Sequence, residues 1–390
     1  MKTKRQYKWT IVLFLPFLAI MIACGGEGTI NNDVVTPQPV VPTVPTVPTV
    51  SDPAPFISKW LIDSAGQSIT LPLRSEYSYD FTVDWGDGSP IAEVTSTTDV
   101  DITHVYAVAG EYEVTIKGLV ESWYFNDSGD KDALIEVIDL GDVGWKNLSR
   151  AFYGCSNLVS FAGGNTSEVV DMSWMFYKAF DLESVDVSSF DTSKVIDMSA
   201  MFGSTDSLVA LDLSSFDTSM VNSMDSMFYS ASSLTSLDVS SFDTSNVEFM
   251  GYMFAEVQSM ITLDLSNFNT SNVIDMDAMF YSAYSLTSLN ISSFNTSNVK
   301  YMAFMFAYAT SLINLYLSHF DTTKVQDMAQ MFRNTNNLAI LEANGWDITN
   351  ATTSSNVFLN AGNGVSGGIK VYCDQGGSPG TGTLFGKTCN

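Results

Sequence analysis

Methionine is the residue type with the most distinctive chemistry to offer in this chain. Fourteen of the eighteen fall into seven copies of Met-x-x-Met-Phe, beginning at Met172, Met198, Met224, Met250, Met276, Met302 and Met328. Paired thioethers are soft ligands of the kind that select copper. Here each pair is preceded by Val and followed by Phe at a constant offset, as in Val221, Met224, Met227 and Phe228, so the sulfurs belong to an apolar core. Hard-ligand chemistry comes from the acids. Asp186, Asp212, Asp238 and Asp264 recur in one register until Asn290 interrupts them, and with Asp84 and Asp87 they are the candidate Ca²⁺ ligands; no other cofactor is expected. A second series, Asp191, Asp217, Asp243, Asn269, Asn295 and Asp321, exchanges acid for amide. That exchange points to backbone capping, which either side chain performs, rather than to metal.

Nucleophilic catalysis finds little support. The chain has two histidines, His104 and His319, and no nucleophile-elbow sequence, so no enzyme activity is expected. Of the four cysteines, Cys155 lies among apolar and small neighbours and reads as a buried thiol. Cys373 and Cys389 flank a Gly-rich segment after the last repeat and suit a disulfide, closing a loop of a size that stabilises by roughly 3 kcal/mol.

The elements that position these residues follow from the spacing. All seven Met motifs are 26 residues apart without insertion, which is the mark of a solenoid built by stacking one small unit. In the copy that opens at Leu208, Leu211 and Leu213 alternate with Asp212 as in a short strand with one buried face. Phe216-Asp217-Thr218-Ser219 is a turn, and Met224 with Met227, three apart, suits one turn of α- or 3₁₀-helix. Strands stacked about 4.8 Å apart give seven such coils a shared core roughly 35 Å long.

The Leu-x-x-Leu-x-Leu opening is similar to the strand of leucine-rich repeats, with Phe216 where many such repeats place Asn. Its continuation, Asp-Thr-Ser-x-Val-x-x-Met-x-x-Met-Phe, resembles the BspA-type leucine-rich repeat family of bacterial surface proteins over residues 148–345. The resemblance implies a cell-surface binding protein, adhesin-like, and no enzyme. Further toward the N-terminus, Val83-Asp84-Trp85-Gly86-Asp87-Gly88, then His104-Val105-Tyr106 and Gly110 to Ile116, resemble the PKD family, an immunoglobulin-like β-sandwich that spaces and presents its neighbours. Asp87-Gly88 is a natural hairpin turn there, and Tyr112, Val114 and Ile116 alternate as the buried face of a last strand. The expected fold class is therefore mainly β: a leucine-rich-repeat-like solenoid with short helical segments, preceded by a sandwich.

The N-terminus gives an address. Lys2, Lys4, Arg5 and Lys8 precede the apolar run from Trp9 to Ile22, the pattern of a secretory signal too short to remain as a membrane span. Its ending, Met21-Ile22-Ala23-Cys24, resembles a lipoprotein lipobox, which implies that Cys24 is acylated and anchors the chain to a membrane at the bacterial cell surface. Proline at every third position from Pro42 to Pro48 then favours an extended polyproline II stalk. The expected organisation is a signal peptide at 1–23, a stalk at 24–51, the sandwich at 52–122, a connector and solenoid cap at 123–147, the solenoid at 148–345 and a C-terminal cap at 346–390.

A formal net charge of −26 excludes nucleic acid as a partner, because phosphate binding needs clustered Lys and Arg. The remaining partner classes are an extracellular protein or a glycan, with the membrane reached through the lipid anchor. Two rival roles are a structural envelope protein without specific ligand and a glycan-binding component of a degradation system. The outward strand positions are short and polar until Tyr316 and His319, which form the candidate ligand patch on that face. Phe249, Tyr252, Tyr301 and Phe304, beside the methionines, are the alternative.

Overall fold

The computed structural model describes residues 52–374 and 383–390; Cys24 and the 24–51 stalk lie outside them. Strands β1 (Phe56–Ile62), β2 (Ser68–Thr70), β3 (Tyr79–Asp84), β4 (Ala92–Val94), β5 (Thr103–Val105) and β6 (Gly110–Val120) form a small sandwich. One sheet runs β4-β3-β6-β1, and β2 pairs with β5 in the other. Phe56, Trp60, Phe81, Trp85, Val114 and Ile116 fill its core, while Tyr112 is only partly buried. Gly86 and Gly88, both at positive φ, turn the chain between β3 and β4.

The sandwich is not a bead on a string. Strand β7 (Leu134–Asp139) pairs antiparallel with β1 and parallel with β8 (Ser160–Ala162), which in turn pairs with β9 (Ser184–Asp186). One seven-stranded sheet therefore passes from the sandwich into the first coils, and residues 51–390 form one compact unit. Trp123 and Trp145 pack edge-on against Phe56 at this junction, with ring centroids 5.1 and 5.5 Å away.

About nine turns of the solenoid follow. Their most regular feature is a spine of stacked rings, Phe152, Phe176, Phe202, Phe228, Phe254, Phe280, Phe306, Phe332 and Phe358, whose centroids lie 5.5–6.1 Å apart. Both methionines of every motif are fully buried beside it. A threonine column supports the opposite corner. Thr218 Oγ1 donates to the Asp243 carbonyl of the next coil, Thr192 Oγ1 both donates to the Asp217 carbonyl and accepts its N–H, and Thr244, Thr270 and Thr296 repeat the pattern. A buried hydroxyl thus replaces a backbone ladder where the chain turns.

The helical turn expected at each Met pair takes another form. Met227, Tyr229 and Ala231 donate their N–H groups locally, each to the carbonyl three residues back. Met224, Ser226, Phe228 and Ser230 donate instead to Phe249, Gly251, Met253 and Ala255 of the next coil. The alternation requires left-handed residues, here Ser226 and Ser230 (φ 57° and 54°), and the same two columns are left-handed from Trp174 and Lys178 to Asn356 and Asn360. A continuous helix directs every N–H along its own axis and leaves none for the neighbouring coil, so stacking overrides it.

Strands on the other face are short: β10 (Thr262–Asp264) pairs with β11 (Ser288–Asn290), and β12 (Asn314–Tyr316) opens a second run with β13 (Ile340–Glu342) and β14 (Lys370–Tyr372). Among the described residues the ladder is open at each Asp–Asp step, from Asp186 through Asp212 and Asp238 to Asp264, where like charges face one another. It closes where Asp264 meets Asn290. At the far end a β15 (Thr383–Leu384) and β16 (Lys387–Thr388) hairpin covers the edge, and Cys373 is disulfide-bonded to Cys389 with Cα atoms 5.2 Å apart.

Candidate functional site

Two surfaces of the solenoid carry side chains suited to binding. On the strand face, Tyr316 is exposed and, with His319, Asn290 and Asn314, lines a shallow hollow of about 270 Å³ where β11 and β12 fail to pair. His319 is tied to the frame. Its Nε2 lies 3.0 Å from the Ile291 carbonyl, the contact that Ser215, Ser241 and Ser293 make in the same column with Val187, Leu213 and Leu265. Tyr316 is thus the freer half of this pair.

The acids of this face act as turn formers. Asp186, Asp212, Asp238 and Asp264 each accept the N–H two residues on, at 2.9–3.0 Å. Hydroxyl bonds from Ser188 and Ser266 first and then these N–H bonds hold Asp186 and Asp264 below their usual range, and the N–H bonds first and then the Ser214 and Ser240 hydroxyls do the same for Asp212 and Asp238. In the sandwich, Asp84 accepts from the Gly86 N–H, and Asp87 takes the Ser89 N–H and bonds His104 Nε2 at 2.8 Å. Asp87 is held down at about 2, chiefly by hydrogen bonding to Ser89 and then by His104. The His104 ring stacks on Trp85, and the Tyr106 hydroxyl donates to the Trp85 carbonyl, so this constellation locks the β3–β4 turn. Among the described residues no group of three or more His, Cys, Asp or Glu is placed to hold a metal. Cys155 is fully buried and its thiol is pushed up by that burial.

The second surface lies beside the methionines. Two columns of the repeat meet there, Trp174, Ala200, Ser226, Tyr252, Ala278 and Phe304 in one, and Tyr177, Gly203, Tyr229, Ala255, Tyr281 and Ala307 in the other. From Ser226 and Tyr229 onward a large residue in one column is paired with a small one in the other, so the rings interlock. Tyr229 meets Tyr252 with centroids 6.4 Å apart, and Tyr281 meets Phe304 at 6.3 Å. The second coil, with Ala200 and Gly203, has no ring in either column. A hollow of about 360 Å³ opens over it, between Trp174 and Tyr177 on one side and Tyr229 and Tyr252 on the other.

Trp174, Tyr252 and Phe304 hold this position at φ 60°, 54° and 57°, in the left-handed region that large side chains avoid at a penalty of about 1 kcal/mol or more each. None is fully buried. The conformation belongs to the repeat, since Ala200, Ser226 and Ala278 share it; what sets these three apart is a large ring left partly exposed there.

Carboxylates line the same band. Asp225 borders the hollow, and Gly251 in the next coil makes room for it, since a Cβ there would lie 2.7 Å from Asp225 Oδ1 and 3.5 Å from Asp275 Oδ1. Burial, then repulsion from Asp275 and Asp197, raises Asp225; burial raises Asp275. Burial and the Asp275 charge push Asp277 up to about 7. A raised carboxyl pKa means that ionisation opposes folding, so the stability Asp277 contributes is complete below about pH 4 and lost as pH rises through about 7. Asp277→Asn, which keeps the acceptor for the Ala303 N–H, should therefore raise stability at pH 8 by about 1 kcal/mol after allowance for its partial exposure, and change it little at pH 4. Thermal melts at the two pH values check this.

The sequence alone already marked Phe249, Tyr252, Tyr301 and Phe304. Trp174, Tyr177, Tyr229 and the ringless second coil emerge only when the two columns are read together, which the 26-residue period permits.

Nothing among the curated proteins matches. Among solved structures, the chain is similar to one described as "Structure of the Toll - Spatzle complex, a molecular hub in Drosophila development and innate immunity", at 15% identity and a TM-score of 0.29. That similarity covers 54% of this chain, which spans 26% of the other. The family described as "Mycoplasma protein of unknown function, DUF285" matches residues 146–263 and 252–367, the whole solenoid. More than half of the sequence is accounted for by these two matches, and the protein belongs to the DUF285 family.

Proposed function

We propose that this chain is a bacterial cell-surface lipoprotein whose solenoid binds an extracellular protein or glycan, adhesin-like in role and without catalytic activity. The observation that carries this reading is the aromatic and acidic band beside the methionines, where Trp174, Tyr229 and Tyr252 remain partly exposed around a hollow bordered by Asp225. Amphipathic rings that offer a large contact area at low entropic penalty are what recognition surfaces use. The resemblance to BspA-type repeats and to PKD modules supports the same assignment. So does the continuous sheet from β4 to β9, since a rigid base presents a distal binding surface better than a flexible hinge. A structural envelope role finds its support in the plain strand face, where Ser214, Ser240 and Asp238 offer little to a partner.

The test is binding of the full chain to arrays of matrix proteins and glycans. A specific ligand whose affinity falls at least tenfold in a Tyr229→Ala and Tyr252→Ala variant supports the proposal; absence of any saturable ligand favours the structural role. Both substitutions install residues the repeat itself uses, Ala255 and Ala307 in one column and Ala200 and Ala278 in the other. The strand-face patch is tested beside it by Tyr316→Ala with His319→Ala, which loses affinity only if ligand sits there.

The anchor is tested separately. In Cys24→Ser, labelled fatty acid should no longer enter the protein and the chain should leave the membrane fraction. Unchanged labelling and retention would remove the lipoprotein assignment.

A further inference from the structure

The rings of the Met-side band already take cations where the chain supplies them. Arg150 lies over Trp174 with its guanidinium carbon 5.7 Å from the ring centroid, Lys178 Nζ stands 5.4 and 5.7 Å from Tyr153 and Tyr177, and Arg333 covers Tyr308 at 5.8 Å. In the middle of the band the pattern breaks. Among the described residues no Lys or Arg covers Tyr229 or Tyr252, although this is where the carboxylates gather. Asp225 borders the hollow, Asp275 approaches the same glycine, Gly251, in the next coil, and Glu256 Oε1 accepts from the Tyr229 hydroxyl at 3.3 Å. Among the described residues no salt bridge gives any of these three acids a basic partner.

We infer that the hollow over the second coil, walled by Tyr229 and Tyr252 and edged by Asp225, receives the Lys or Arg side chains of a basic polypeptide. Charge complementarity selects this occupant. A guanidinium or ammonium relieves the repulsion among Asp225, Asp197 and Asp275 and lies against two tyrosine faces, an arrangement favourable by both ion pairing and cation–π attraction. The C–H face of a sugar stacks on the same rings yet leaves the clustered negative charge uncompensated. The net charge of −26 draws a basic partner toward the surface from a distance, and the hollow decides where it docks. The inference rests on the reading of the solenoid as a binding surface and names the partner chemistry of the Met-side band.

The test uses the full chain and a fluorescein-labelled octa-arginine peptide at 0.15 M salt, read by fluorescence anisotropy. Tyr252→Ala, which alters no charge, is expected to weaken binding at least fivefold, and Asp225→Asn likewise. Tyr252→Phe retains binding, and Asp243→Asn, an acid in the turn column where Asn269 and Asn295 also occur, stays within twofold of the parent. Should Tyr252→Ala fail to fold, Tyr229→Ala carries the same expectation. Equal losses from Asp225→Asn and Asp243→Asn, with none from Tyr252→Ala, would mean that the peptide sees only the overall field and would overturn the proposal. Displacement of the peptide by a neutral oligosaccharide through Tyr252 would overturn it in favour of a glycan. Array ligands that depend on Tyr252 in a chain with no octa-arginine affinity would sink the basic-partner assignment while leaving the wider binding role intact.

Discussion

Met227→Asp should abolish cooperative folding of the middle of the solenoid. Met227 is fully buried, and its neighbour Phe228 is a member of the phenylalanine spine. Deleting a buried methionine side chain already removes about 2–5 kcal/mol, and a carboxyl group without partners adds its desolvation to that. The loss spreads because each coil is stabilised by the coils on either side. Hydrogen exchange should show amides unprotected not only around residue 227 but in the flanking copies at Met201 and Met253, whose carbonyls accept across the coil boundaries. Met227→Leu, which conserves volume, should lose less than about 1.5 kcal/mol. A melting temperature for Met227→Asp within a degree of the parent would mean that the thioethers are not core.

Val137→Pro should unfold the sandwich and the first coils together. Val137 is buried in β7, opposite Ser58 on one side and Phe161 on the other. Proline in a strand paired on both edges removes a ladder donor and forces the chain out of register, at about 3 kcal/mol or more. Strand β7 belongs to both ladders, so protection should be lost in Phe56–Ile62 and in Ser160–Ala162 at one denaturant concentration, by hydrogen exchange with mass spectrometry. Loss in the coils with β1, β3 and β6 still protected would show two independent domains sharing only a contact.

The period was the most legible part of the fold. A fixed 26-residue repeat with Val, Met and Phe in constant register dictates a stacked core, and the buried columns are the ones the pattern picks out. The backbone path was less legible. Met224 and Met227 at a spacing of three fit a helical turn as well as the linked tight turns found, and the choice is made by hydrogen bonds to the next coil, a partner no single copy contains. The fusion of sandwich to solenoid was hidden for a similar reason. Nothing in Leu134–Asp139 announces that its two edges pair with different neighbours. Among candidate sites, Tyr316 and His319 stood out as breaks in a serine-rich column. Local sequence could not reveal that His319 makes the frame contact of the serines it replaces. The Met-side band was only half visible, because its hollow is defined by absent side chains, Ala200 and Gly203, between rings that lie more than twenty residues away in either direction.

Recognition by the band beside the methionines is most directly tested by hydroxyl-radical footprinting of the full chain with and without a ligand taken from the arrays. Ring oxidation is read by mass spectrometry at single tyrosines and tryptophans. Trp174, Tyr229 and Tyr252 should become protected when ligand is bound, while Tyr316, exposed on the strand face, should oxidise at its free rate. Protection of Tyr316 with no change at Trp174, Tyr229 and Tyr252 would contradict the account and move the binding surface to the opposite face of the solenoid.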